Sequence, residues 1–448
     1  MRKPLLIVLV LMLCVSSLLS ACGGNKNNNA STSTSASPTE SAKASEASAS
    51  PEASKPAEQV ELKVSGYKSG AEIGAIPELN EKFMKENPDI KVTYEGMPGA
   101  QYKDFIKTRL VAGDASDVML LHPGAEIVDY AKAGYLMDLS GEPWVPDFTV
   151  SAIDAASGDG KVYGTPNDTV MLGVYYNKDI FAKLNLKVPT DWDQFLAACE
   201  AIKASGVTPI AIGNNDGWMT LAALFVMAPA MIYAKDPDFD KKLNARETKF
   251  AGSWDEMNKA WFSLDTKGYL TPKSTGISLD QAQTDFAKGK AAMYIDGTWS
   301  LAGIKGKNEA LNLGMFAMPS NKAGEDVYVS AAVGTVWTIN KSTEKADAAK
   351  KYLAFWAKEE NQSIWAKSGG AFLTLQGKKS DADPAFEDIA GTLATGKAWR
   401  FLNQAWAQDA ATTEMMKSAQ GVYLKALTPE QMLKNMDDAW DKAAKLQK

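Results

Sequence analysis

Val60-Glu61-Leu62-Lys63-Val64-Ser65-Gly66 alternates apolar with polar residues and ends on glycine, as a β-strand with one buried face does. Behind it, Ile76, Leu79, Phe83 and Met84 recur at helical spacing, and Asn87-Pro88 stops the run. Ile90-Lys91-Val92-Thr93-Tyr94 reads as the next strand, Tyr102 to Ala112 as the next helix, and Asp117-Val118-Met119-Leu120-Leu121 as a buried third strand. Strand, helix, strand, helix, strand is the order of βαβ units, so the fold class is α/β with mainly parallel sheets. Ligands of such open sheets sit beyond the carboxyl ends of the strands. The loops Tyr67-Lys68-Ser69 and His122-Pro123-Gly124 lie there, which makes Tyr67 and His122 candidate ligand contacts.

Toward the C-terminus a second α/β region starts near Tyr163. Val174-Tyr175-Tyr176 is a strand that breaks at Asn177, and Asp191 is placed to cap the helix holding Trp192 and Cys199. Val207 to Ile212 follows a Gly206 stop as a strand, and Ala291-Ala292-Met293-Tyr294-Ile295 is another. The remainder to Lys448 is mostly helical. A chain of 448 residues, 45% apolar and 23% charged, suits two α/β lobes. Adjacent tyrosines are iron ligands in some clamp-type proteins. Tyr175 and Tyr176 alternate within a strand, so one of them should face core instead.

Toward the N-terminus, Arg2 and Lys3 precede the apolar run Leu5 to Leu13, too short to span a bilayer as a mature helix. Leu19-Ser20-Ala21-Cys22 follows and resembles the lipobox of bacterial lipoproteins, in which the cysteine is lipidated and becomes the mature terminus. Residues 1–21 are therefore expected to be a signal peptide and Cys22 a lipid anchor. Residues 22–59 are nearly all small, polar and charged and bury no core, so they are expected to be a disordered linker with a reach of roughly 35 Å. That arrangement puts the folded body at the extracellular face of the cell membrane and favours a Gram-positive boundary. With Cys14 in the signal and Cys22 lipidated, only Cys199 remains, and a small core role fits it.

The chemistry for most enzyme classes is missing. His122 is the one histidine, which removes HExxH and multi-histidine metal sites, and there is no GxSxG, P-loop or GxGxxG. No metal or cofactor is expected. A net charge of −6 argues against nucleic acid as a partner. Paired carboxylates for glycoside hydrolysis are spatial rather than sequential, so a surface glycan-degrading enzyme stays open at this level.

Three stretches carry a resemblance. They are Tyr163-Gly164-Thr165-Pro166-Asn167-Asp168 with Gly173 to Phe181 and Pro189-Thr190-Asp191-Trp192; Phe286 to Trp299; and Asp117 to Leu139. Taken along the chain and at those intervals, they resemble the extracellular solute-binding proteins (family 1) of carbohydrate ABC importers. The resemblance implies a two-lobe, type II periplasmic-binding-protein-like clamp that closes by hinge bending. It implies a monomer that captures a carbohydrate ligand and delivers it to ABC permease subunits, with no catalysis. The lobes implied are 60–168 with 333–371 and 169–332 with 372–448, the chain crossing near Asp168, Val333 and Phe372. A clamp of the same fold for a non-sugar solute is the nearest alternative.

Sugars present apolar C–H faces and a rim of hydroxyls, so their sites combine flat aromatic rings with carboxylates and amides. Trp218 sits in the polar, glycine-rich loop Gly213-Asn214-Asn215-Asp216-Gly217-Trp218, and the chain carries 12 tryptophans. Trp299 occupies a position where the resembled family stacks a tryptophan on a sugar ring. Trp399, beside Arg400, is a third aromatic candidate, whereas Trp356, Trp365 and Trp440 lie at helical spacing and suit core. Asp168 and Asp296 are the candidate carboxylates for sugar hydroxyls, with Glu72 a weaker one that could simply cap a helix. Gly334 is a place where backbone could approach a ligand.

Overall fold

The computed structural model describes residues 59–446, residue 408 apart. The expected signal peptide, Cys22 and all of the linker but Gln59 lie outside the described residues. Strands β1 (Val60–Gly66), β2 (Ile90–Gly96) and β3 (Val118–Leu121) pair in parallel in the order β2-β1-β3. Helix Ile76–Glu86 joins the first two. It buries Ile76, Leu79 and Phe83, and Phe83 meets Tyr352 and Phe355 edge-on. Asn87 ends it by donating from Nδ2 to the Phe83 carbonyl (3.0 Å), and Pro88 forbids continuation. Helix Gly99–Ala112 joins β2 to β3 and begins at Gly99, three residues before Tyr102, because Gly99-Ala100-Gln101 carries no large apolar side chain.

A short hairpin, β4 (Ser157–Gly158) and β5 (Lys161–Val162), precedes β6 (Gly164–Pro166). Then β7 (Thr169–Asn177), β8 (Thr208–Ala211), β9 (Ala291–Gly297), β10 (Leu313–Phe316) and β11 (Val329–Val333) build a second sheet. β12 (Val336–Ile339) returns to the first sheet between β3 and β6, and β13 (Ala398–Trp399) edges the second. The parallel pairs are β1 with β2 and β3, β8 with β9, and β11 with β13. The other pairs are antiparallel, and two of them have a topological cause. β6 leaves the first sheet where β12 enters it, and β7 enters the second where β11 leaves it, so each such neighbour runs opposite.

The second sheet is covered on both faces. In β7, Val170, Leu172, Val174 and Tyr176 join one apolar cluster while Met171 and Tyr175 join another, the period-2 alternation of a strand. Both tyrosines are therefore buried, Tyr175 donating to the Gly297 and Thr298 carbonyls and Tyr176 to Asp388. Cys199, Trp356, Trp365 and Trp440 are buried. Helices Ala410–Tyr423 and Pro429–Leu446 pack together, the first of them against helix Gly217–Phe225.

Helix Trp192–Ala204 starts as its sequence predicts. Asp191 Oδ1 accepts from the Gln194 amide (2.9 Å), and Gln194 Nε2 returns a bond to Asp191 Oδ2 (2.5 Å). This reciprocal cap satisfies an amide that the helix cannot. Asp191→Ala is expected to lower stability by about 1 kcal/mol. Urea unfolding measures it, and an unchanged midpoint would mean that the cap contributes nothing.

Candidate functional site

Two loops at the carboxyl ends of the first sheet come together. Tyr67 follows β1 and His122 follows β3; their rings stack at 3.9 Å between centroids and 9° between planes. The Tyr67 hydroxyl donates to the Gly334 carbonyl (2.8 Å). The His122 side chain is half exposed, and its Nδ1 lies 3.1 Å from Glu126 Oε2, which also accepts from the His122 amide (2.8 Å). Burial pushes the Glu126 carboxyl up, but the bonds from His122 prevail and hold it below its ordinary value. Lys68 pairs with Glu72 (3.3 Å) and stands 5.5 Å over the Tyr67 ring. Glu126 was not singled out from the sequence, although its i,i+4 spacing from His122 was there to be read.

A second aromatic group belongs to the second sheet. β9 ends on Asp296-Gly297, and the turn Thr298–Ser300 carries Trp299. The Trp299 ring folds back on Gly297 so closely that a Cβ there would overlap it. Trp218, at the start of helix Gly217–Phe225, lies 6.1 Å from Trp299 and 6.1 Å from Phe225. Phe401 closes the circle, 6.4 Å from Phe225 and 6.3 Å from Trp299. Phe225 and Phe401 are buried, while Trp218 and Trp299 keep part of their surface open. The two phenylalanines were missed because an apolar residue in a helix or strand reads as core.

Trp399 stands apart from this ring of four. It stacks on Tyr233 (4.6 Å, 14°), which a one-turn π-helix, Pro229–Tyr233, delivers. Asp240 Oδ1 accepts from the Tyr233 hydroxyl (2.6 Å) and from Trp406 Nε1 (2.9 Å), anchoring the pair from below.

The carboxylates singled out for hydroxyl binding are occupied by the protein itself. Asp168 is 4% exposed and accepts from the Thr335 amide and hydroxyl on Oδ1 and from Trp365 Nε1 on Oδ2. Burial pushes its carboxyl up, against the pull of Lys68 and these donors. Asp296 is fully buried. Its Oδ2 accepts from the Tyr294 hydroxyl (2.6 Å) and Ser300 Oγ (2.5 Å), and its Oδ1 from the Gly297 amide (2.7 Å). It holds the turn that carries Trp299 and offers nothing to solvent. Gly334 presents its carbonyl to Tyr67, and a Cβ there would sit 3.0 Å from Asp168 Oδ1, so it serves close packing of the crossing strands. Glu72, in the short helix Gly70–Glu72, stays half exposed.

The two lobes also touch: Gly124 abuts the backbone of Gln404, and Lys103 pairs with Asp409 (2.6 Å). Within the second lobe, Gln404 Nε2 donates to the Val333 carbonyl (3.0 Å).

Burial pushes the Asp296 carboxyl up to about 6. A folded-state value above the unfolded one means that the folded form holds the proton more tightly between the two. This group's contribution therefore stabilises at low pH and is lost as pH rises through about 6. Relative to Asp296→Asn, the protein is expected to gain on the order of 2 kcal/mol between pH 7 and pH 4.5. Denaturant unfolding of both proteins across that range tests it, and parallel profiles would refute it.

Residues 67–363 match the family model described as bacterial extracellular solute-binding protein. The multiple sugar-binding protein of Streptococcus mutans is 27% identical over 358 residues, covering 78% of this chain and 84% of that one. The maltodextrin-binding protein MdxE of Bacillus subtilis is 28% identical over 296 residues, covering 64% and 67%. Among solved structures, a chitin oligosaccharide binding protein superposes with a TM-score of 0.77 at 24% identity, covering 86% of this chain and 99% of that one. The solute-binding protein RafE in complex with raffinose gives 0.74 at 24% identity, with the same coverage. These likenesses establish the two-lobe clamp fold, and the family match extends over both sheets. The chain belongs to the bacterial extracellular solute-binding protein family.

Proposed function

We propose that this protein captures a sugar or oligosaccharide outside the cell and delivers it to the permease subunits of an ABC importer, acting as a monomer and without catalysis. The observation that carries this reading is the aromatic wall of Trp218 and Trp299, backed by Phe225 and Phe401 and left partly open. Flat rings of this kind suit the C–H faces of a pyranose. The Tyr67–His122 stack supplies a polar edge on the other lobe, with the unbonded imidazole nitrogen available to a hydroxyl. The relatives from Streptococcus mutans and Bacillus subtilis bear sugar-binding names, which supports the same ligand class. Asp168 and Asp296 are each committed to three protein donors, so neither is poised as a glycosidase acid or nucleophile.

The lobes in this reading are 60–168 with 334–371 and 169–333 with 372–448, one residue on from the boundary expected at 333, because Val333 pairs with Thr169 in the second sheet. A signal peptide over residues 1–21, lipidation of Cys22 and a flexible linker would hold the clamp at the outer face of the membrane, where a captured ligand stays near the permease. Among the described residues no helix is long and apolar enough to cross a membrane.

Tryptophan fluorescence against a panel of mono- and oligosaccharides is expected to give saturable 1:1 binding with Kd near micromolar, about 8 kcal/mol. Trp299→Ala is expected to lose about 2–4 kcal/mol of that affinity. An unchanged Kd in this variant removes Trp299 from the site, and silence across the whole panel moves the ligand outside the sugars. Separately, Cys22→Ser should move the protein from the membrane fraction to the medium. Retention on membranes in that variant would exclude the thiol as the anchor.

A further inference from the structure

The chain passes from the first sheet to the second at Asn167-Asp168 and back at Gly334-Thr335. The two passages lie side by side: the Asn167 amide donates to the Thr335 carbonyl (3.0 Å), and the Gly334 amide donates to the Asp168 carbonyl (3.1 Å). Most side-chain bonds at this point run to the first lobe, and Thr374 Oγ1, from just beyond the third passage, adds one to the Pro166 carbonyl (2.9 Å). Asp168 Oδ2 accepts from Trp365 Nε1 (2.9 Å), on helix Glu359–Gly369. Gln362 of the same helix donates to the Pro166 carbonyl (3.0 Å). Tyr67, at the end of β1, holds the Gly334 carbonyl. Asp168 Oδ1 then ties the passages to each other through the Thr335 amide (2.8 Å) and hydroxyl (3.0 Å).

One residue further on, the allegiance changes. Thr169 and Val333 are paired in the ladder of the second sheet, and Thr169 also exchanges both backbone bonds with Phe372. Residues up to Asp168 and from Gly334 are thus fastened to the first lobe, and residues from Thr169 and up to Val333 to the second. For these two passages, rotation of one lobe against the other falls on the bonds between Asp168 and Thr169 and between Val333 and Gly334; the third passage, at Ala371-Phe372, is tied to the first through the Thr169–Phe372 pair. We propose that Asp168 is a positioning residue for capture, which clamps both crossing strands to the first lobe and so fixes the hinge axis, and that it touches no ligand.

A carboxylate fits this task better than an amide. Three donors converge on it, and an asparagine would turn an N–H toward either the Trp365 indole or the Thr335 donors. Trp365 Nε1 would then be a buried donor with no acceptor, a costly state. The tight approach of Gly334, where even a Cβ would crowd Asp168 Oδ1, leaves no room for water to substitute.

The proposal rests on the capture reading for its purpose but not for its test, which needs no ligand. In the full chain carrying Cys14→Ser and Cys22→Ser, spin labels go on Lys107→Cys of helix Gly99–Ala112 and Lys417→Cys of helix Ala410–Tyr423; Cys199 is buried and stays unlabelled. Pulsed electron resonance on the ligand-free protein is expected to show a distance distribution at least about twice as wide in Asp168→Asn as in the parent. Thr335→Val, which keeps the volume and removes one donor, should widen it less, and Thr335→Ser should restore it. If Asp168→Asn does not fold, the Thr335 pair decides alone. Distributions as narrow as the parent's in the folded variants, with only a lowered melting temperature, would overturn the proposal and leave Asp168 a merely structural residue.

Discussion

Two backbone hydrogen bonds, Asn167 to Thr335 and Gly334 to Asp168, hold the crossing strands together at the point where one sheet gives way to the other. The rest of the architecture depends on that junction. Because the chain crosses out and back through neighbouring strands, β6 and β12 must oppose each other in one sheet, and β7 and β11 in the other. The parallel βαβ units can then grow outward from each side without interruption, which is why the carboxyl ends of β1 and β3 look toward the junction. A side chain that leaves β1 at Tyr67 can reach a carbonyl 267 residues later in the chain, because the junction has already brought Gly334 there.

Both walls of the site are built on rigid supports rather than on free loops. Trp299 rides a turn whose amide, hydroxyl and flanking tyrosine all bind the buried Asp296, and its ring rests on a glycine that no other residue could replace without displacing it. Trp218 is seated by the helix that it begins, and Phe225 lies at the end of the same helix. The unfavourable burial of Asp296 is offset by three bonds and converts into fixed aromatic geometry. A surface that is ordered before ligand arrives loses less entropy on binding, so more of the contact energy appears as affinity.

The elements that set the fold were legible because their signals are local. Alternation over Val60–Gly66, the helical spacing through Ile76–Glu86 and the Asp191 cap each require only near neighbours, and all three recur in the structure. The roles of the carboxylates were not legible, for the opposite reason. Asp168 beside a proline and Asp296 beside a glycine read as residues at strand ends, free to face a ligand. Their donors lie far along the chain: Thr335 is 167 residues from Asp168 and Trp365 is 197. Trp365 was assigned to core from its helical spacing, and it is buried, yet its indole nitrogen reaches the crossing. Periodicity reports which face of a helix is covered and is silent about which polar atom on that face finds a partner.

The same reasoning separates the aromatic residues that sequence alone treats alike. Trp218, Trp299 and Trp399 all follow strands or glycine-rich turns, but only the first two share a ring of contacts with Phe401. Phe401 begins the segment that continues through Gln404, packed against Gly124 of the first lobe, to Asp409, paired with Lys103. One short stretch therefore joins the aromatic wall to these two contacts between the lobes. In the proposed capture reading, rotation about the crossing strands would move that stretch as part of the second lobe and carry a ligand on Trp218 and Trp299 toward Tyr67 and His122. The exposed Lys103–Asp409 pair contributes little energy by itself. In the capture reading, the ligand's own contacts with the two aromatic groups therefore supply free energy that favours the closed form.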